Sequence, residues 1–171
     1  IAQSAPTEAR ARLSDICAGW RSDGDMLRAI EEGDLVYSGE GPWAGDLERP
    51  DDELAWPSVP PLTFGSVRRR RRVDLIPNAD GTVSIDVLFR DTYVELNGRE
   101  SAVHEYAVMG ACDRDGVLLE LRAEPHVLPG PQCPHAAASA TRLVGTPLRD
   151  VRDRVRSDLN GTSTCTHLND T

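Results

Sequence analysis

The stretch VSIDVLFRDTYVELNGRESAVHEYAVMGACDRDG, Val83 to Gly116, decides the fold. Val83, Ile85, Val87 and Phe89 alternate with Ser84, Asp86, Leu88 and Arg90, the two-residue period of a strand with one face buried. Asn97-Gly98 and Asp113-Arg114-Asp115-Gly116 supply the residues that tolerate the backbone of tight turns. Strands are therefore expected over residues 82–96, 103–112 and 117–126. Upstream, residues 67–76 pair with the first of these through a turn at Asn78-Ala79-Asp80-Gly81. Downstream of Pro125, Ala136, Ala140, Leu143 and Val144 take a helical period, and Leu148, Val151, Val155 and Leu159 form a second apolar stripe. The expected class is α+β, with a curved antiparallel sheet of four or more strands, a meander, and helices packed on one face.

Residues 5–32 read as two helices, one carrying Leu13, Ile16, Cys17 and Trp20 and one opened by Asp25 ahead of Met26, Leu27 and Ile30. Residues 34–61 are rich in proline, glycine and acids but hold Trp43 and Trp56. A connector of that length is expected to cross the body or lie over a site as a lid. The division is thus an acidic helical segment and connector, 1–61, and an α+β core, 62–171.

Of the net charge of −9, residues 1–60 carry −8, with 13 acids against 5 arginines. Such a balance does not fit a nucleic-acid binder, whose affinity comes from neutralising phosphates. The exception is Arg68 to Arg72, five arginines in a row. They could bind phosphate or an acidic partner, but the expected role is a solvated edge strand guarded from aggregation by charge. All 19 basic residues are arginine, which rules out a Schiff-base lysine, pyridoxal phosphate and a Walker-type phosphate loop. Neither a Gly-x-Gly-x-x-Gly pattern nor a Gly-x-Ser-x-Gly elbow is present, so no nucleotide cofactor is expected. With 39% hydrophobic and 27% charged residues the composition is that of a folded protein. No apolar run suits a membrane span, so a cytoplasmic location is expected. Ile1 at the start fits a processed chain, and a removed signal peptide is compatible with it. Cys17, Cys112, Cys133 and Cys165 contain no Cys-x-x-Cys pair. Reduced thiols are expected, a Cys133–Cys165 bridge being the alternative.

Several short motifs carry a resemblance. They are Arg71-Arg72, Asp80-Gly81, Phe89-Arg90-Asp91, Val103-His104-Glu105, Pro129-Gly130-Pro131-Gln132-Cys133-Pro134, Arg142-Leu143-Val144-Gly145 and Thr164-Cys165-Thr166-His167-Leu168. In order and spacing the chain from Val67 onward resembles a bacterial family, domain of unknown function 2889. Thr164 stands where that family usually has glycine, and Asn169-Asp170-Thr171 closes the chain where the family generally continues, which implies trimming or disorder. Residues 1–60 have no counterpart. The resemblance marks a location and implies no reaction.

Imidazole and thiolate together favour zinc. Cys133, Cys165 and His167 are the proposed ligands, with His104 a fourth or else a catalytic base, and His135 an alternative. A small hydrophobic thiol beside a capped helix is the structural counter-reading of Cys165. Asp91, His104, Glu105 and Tyr106 are the candidates for acid–base work, on neighbouring strands, with Glu105 pointing away from His104 and Tyr106 and a core position as the plainer role of Tyr106. Arg71 or Arg90 would hold a substrate acid. The sequence thus supports a small-molecule enzyme, a metal-dependent lyase, isomerase or hydrolase of carboxylated or acyl compounds, its histidines facing a pocket beneath the connector. The alternative is a non-catalytic ligand-binding or protein-interaction domain with structural cysteines. Oligomeric state is not legible.

Overall fold

In the computed structural model, residues 6–33, 41–47, 52 and 55–171 are described; parts of the expected connector, 34–40, 48–51 and 53–54, lie outside them. Four strands, β1 (Val67–Pro77), β2 (Val83–Val94), β3 (Glu100–Cys112) and β4 (Leu118–Val127), form one antiparallel sheet in the order β1-β2-β3-β4. The meander follows from its turns: Gly81, Gly98 and Gly116 take φ of 88°, 82° and 77°, a region nearly closed to residues with a Cβ. Alternation then fixes the faces. Ile85, Val87, Phe89, Tyr106 and Val108 are buried on one face.

The helical elements cover that face. They are a 3-10 helix (Cys133–Leu143), an α-helix (Leu148–Asp158) and a final turn (Thr166–Asn169). Ala136, Leu143, Leu159, Cys165 and Leu168 join Ile85, Val87, Tyr106, Val108 and Leu118 in one core cluster. The expected helix after Pro125 is thus a tighter 3-10 winding, and Pro147 rather than Thr146 precedes the Leu148 helix, with no side-chain cap. Nearer the N-terminus, one helix spans Pro6–Leu13 and another Asp25–Glu32. The first stops before Ile16, since Asp15 takes a φ of 60°. The chain then enters a 3-10 turn, Ala18–Trp20, where Ala18 N–H donates to Thr164 O at 2.8 Å. No helix among the described residues is long and apolar enough to cross a membrane.

The connector runs along the free edge of the start of β3 and onto the second face. Ala102 N–H donates to Pro42 O, Ala44 N–H to Glu100 O, and Arg90 on the far face donates to Gly45 O at 2.6 Å. Arg72 lies over the Trp56 ring at 5.8 Å.

Candidate metal centre

Strand register assembles the centre. Arg69, Asp91 and His104 stand in one row across β1, β2 and β3, all on the face that carries Phe89 and Tyr106. The row depends on a bulge. From Val94↔Glu100 a regular ladder would set Val103 opposite Asp91, but the register shifts between Asp91 and Thr92 and His104 takes that place. Bulges commonly re-aim a side chain in this way beside functional sites. His167 arrives from the final turn, Thr166–Asn169, and lays its ring on His104 with centroids 3.5 Å apart and planes 16° apart.

Among the described residues, Asp91, His104 and His167 form the group of potential ligands whose atoms lie within 4.8 Å of one another. His104 Nδ1 is 3.8 Å and His167 Nε2 is 3.7 Å from Asp91 Oδ2. Arg69 holds the same carboxylate with two charge-assisted bonds, Nε to Oδ1 and Nη2 to Oδ2, both 2.8 Å. The His104 and Asp91 side chains are each only 7% exposed, and His167 is 26% exposed and faces outward. Burial depresses the His104 pKa to about 3, helped by His167 and opposed by Asp91. Burial also lowers that of His167. Both rings are therefore neutral at pH 7, the form that offers a lone pair to a metal or to a proton.

Two imidazoles and a carboxylate suit zinc or another divalent first-row metal, with room for exchangeable ligands. Bonds of about 2.0–2.2 Å require the donors to draw closer than they stand, and near-parallel rings to open so that both lone pairs meet one ion. The partly exposed His167 side chain, rather than His104 or Asp91 buried in the sheet, has the room to make that adjustment.

The sequence-predicted residues divide accordingly. Asp91 joins His104 and His167 at the centre, a ligand in geometry where sequence suggested an acid–base residue. Cys165 lies behind His167, its Sγ 4.0 Å from Nδ1. Cys133 stands apart from the histidines in a seam with the N-terminal segment. A Cβ on Gly19 would lie 2.5 Å from Cys133 Sγ, and one on Gly130 would meet both Met26 and Cys133. All four cysteines are free and buried; burial raises the thiol pKa of Cys133 to about 11 and raises that of Cys165, so Cys133 and Cys165 sit as protonated, packed groups. His135 is exposed. Tyr106 is fully buried; its hydroxyl lies beside the Cys165 thiol, a weak partner, and makes no well-formed hydrogen bond among the described residues. Arg71 borders the centre, with Nη1 donating to Asp170 O at 2.6 Å.

Arg90 is on the opposite face, paired with Glu105, which also bonds His126. A cavity of about 280 Å³ does lie under the connector, lined by Trp43, Gly45, Arg70, Arg90, Thr92 and Glu100, but the histidines are across the sheet from it. Sequence reasoning passed over Arg69 as one of a charged run. Counting the hairpin from Pro77↔Val83 would have set it opposite Asp91.

Residues 67–171 match the model of a family described as protein of unknown function (DUF2889). The chain belongs to that family. No curated protein and no solved structure matches the chain. The DUF2889 match opens at the first residue of β1 and takes in every member of the centre, whereas Cys17, Met26 and the connector lie outside it.

Proposed function

We propose that the chain is a metal-dependent enzyme acting on small carboxylated or acyl compounds, with a divalent ion, zinc first among the candidates, on Asp91, His104 and His167. One observation carries this reading. Three donors from three separate elements converge in a mostly buried place, and both imidazoles there are held neutral. Stacked rings shielded from water cost the protein solvation that an apolar pair would not, and a metal is the partner that repays such an arrangement. When bound, the ion would polarise a carbonyl or acidify a water, the chemistry of a lyase, isomerase or hydrolase.

Of the protein groups, Arg69 orients Asp91, the final turn presents His167 to solvent, and Arg71 stands at the rim to receive an anionic group. Elemental analysis of protein purified without chelator, alongside zinc titration, is the test. Near-stoichiometric binding that is lost in His104→Ala, His167→Ala and Asp91→Ala and kept in Cys165→Ala and Cys133→Ala is expected. A parent protein that carries no metal and takes up none sinks the proposal.

The second reading is a non-catalytic binding domain with structural cysteines. It is favoured by the fact that Arg69 already satisfies both Asp91 oxygens. The same titration separates the two.

A further inference from the structure

We propose that the anionic group of the substrate is a carboxylate seated on Arg69 and Arg71, and that Asp170 of this chain fills that subsite in its absence. The place of this subsite beside a reacting centre rests on the metal reading above; the subsite itself does not need the ion. Arg69 and Arg71 lie two residues apart on β1, so both side chains leave the strand on the face of Asp91 and His104. Arg69 Nη1 donates to Asp170 Oδ2 at 2.5 Å, and Arg71 Nη1 to the Asp170 main-chain carbonyl at 2.6 Å.

The two carboxylates that meet Arg69 differ in kind. Asp91 is 7% exposed and locked in the sheet, whereas Asp170 is 56% exposed. An ion pair that open exchanges readily with a dissolved anion, since exposed pairs are weak. The Asp170 main chain stays anchored by N–H bonds to Thr166 O and His167 O, so only the side chain must turn away: Arg71 keeps Nη1 on the main-chain carbonyl and offers the visitor its remaining N–H donors.

Charge specifies the visitor. The guanidiniums of Arg69 and Arg71 balance the carboxylates of Asp91 and Asp170. With Asp170 turned out, the cluster is left with one positive charge, and a divalent ion would raise it to three. A monoanion restores the balance that Asp170 provided, and the group now in place is itself a carboxylate.

Benzoate serves as the probe and benzamide as its uncharged control, titrated into the full chain with chelator present while the arginine Nε–H signals are followed by NMR. Asp170→Asn is expected to bind benzoate two- to fivefold more tightly than the parent, the span an exposed ion pair commands. Arg71→Gln is expected to lose most of the parent's binding, and benzamide to shift no signal. Equal benzoate affinity in parent and Asp170→Asn, or undiminished binding in Arg71→Gln, overturns the proposal. Because the titration is metal-free, a failure of zinc to bind leaves this result standing, and a failure here leaves the zinc result standing.

Discussion

Acidification should destabilise the fold through His104, and the size of the effect can be worked from the centre. The folded pKa is lowered, to about 3 from an ordinary 6.5. The folded protein therefore refuses a proton that the unfolded chain accepts. Stability from this group is fully present above pH 6.5 and is lost as pH falls from there toward 3. At about 1.36 kcal/mol per pH decade, lowering the pH from 6.5 to 5 costs the folded state about 2 kcal/mol for this ring. His167, lowered in the same direction, adds to the loss, but its partial exposure makes its share smaller. Urea unfolding at pH 7 and pH 5, with chelator, measures the sum in the parent. His104→Asn cannot take the proton in either state, so its drop between the two pH values should be smaller by about 2 kcal/mol, whatever its stability at pH 7. Carboxylates elsewhere contribute equally to both proteins and cancel. If His104→Asn loses as much stability on acidification as the parent, the neutral buried imidazole is refuted.

Other expectations follow from single contacts. Tyr106→Phe removes a buried hydroxyl whose polar neighbour is the weakly bonding Cys165 thiol, so thermal unfolding should change by no more than about 1 kcal/mol in either direction; a loss of about 2 kcal/mol or more would mean that the hydroxyl carries a strong bond. Gly19→Ala drives a Cβ to 2.5 Å from Cys133 Sγ and should cost about 1–3 kcal/mol in chemical denaturation, with near-stoichiometric zinc uptake kept because the seam supplies no ligand. Arg69→Ala leaves the buried Asp91 carboxylate without its guanidinium and should destabilise the metal-free protein by about 3–5 kcal/mol. Saturating zinc should recover part of that loss, read as a rise in Tm, because the ion gives Asp91 a new counter-charge.

The sheet was legible because its signals are local. Asp80-Gly81, Asn97-Gly98 and Asp115-Gly116 each demand a turn, and the alternation from Val83 onward leaves one choice of buried face. His104 and Tyr106 on a common face followed from the same period. The pairing of His104 with Asp91 did not, because it needs the extra residue at the bulge, which sequence alternation hides. Cys133 misled for a related reason. Its nearness to Cys165 and His167 along the pattern of motifs says nothing of the N-terminal turn Ala18–Trp20, whose insertion against Thr164 and Cys133 is a tertiary event. The described parts of the connector meet the β3 edge and the second face through Pro42, Ala44, Gly45 and Trp56, and nothing in a linear run tells which face they take. The first helix stopped short because an aspartate at positive φ, Asp15, ends it ahead of an apolar pattern that continues.

The order of elements along the chain has a consequence for biosynthesis. The sheet is complete at Val127, while Leu143, Leu159 and Leu168, which roof its apolar side, are made afterwards. A ribosome adds roughly 5–20 residues per second, so for some seconds a nascent meander would display Ile85, Val87 and Val108 without Leu143, Leu159 and Leu168 above them. That is when a sheet is most prone to recruit a second strand at its margin. The margin emerging first is β1, whose arginines repel another copy of themselves. The charge that the sequence assigns to guarding an edge strand would thus act earliest on the nascent chain, before the roof of the sheet is made.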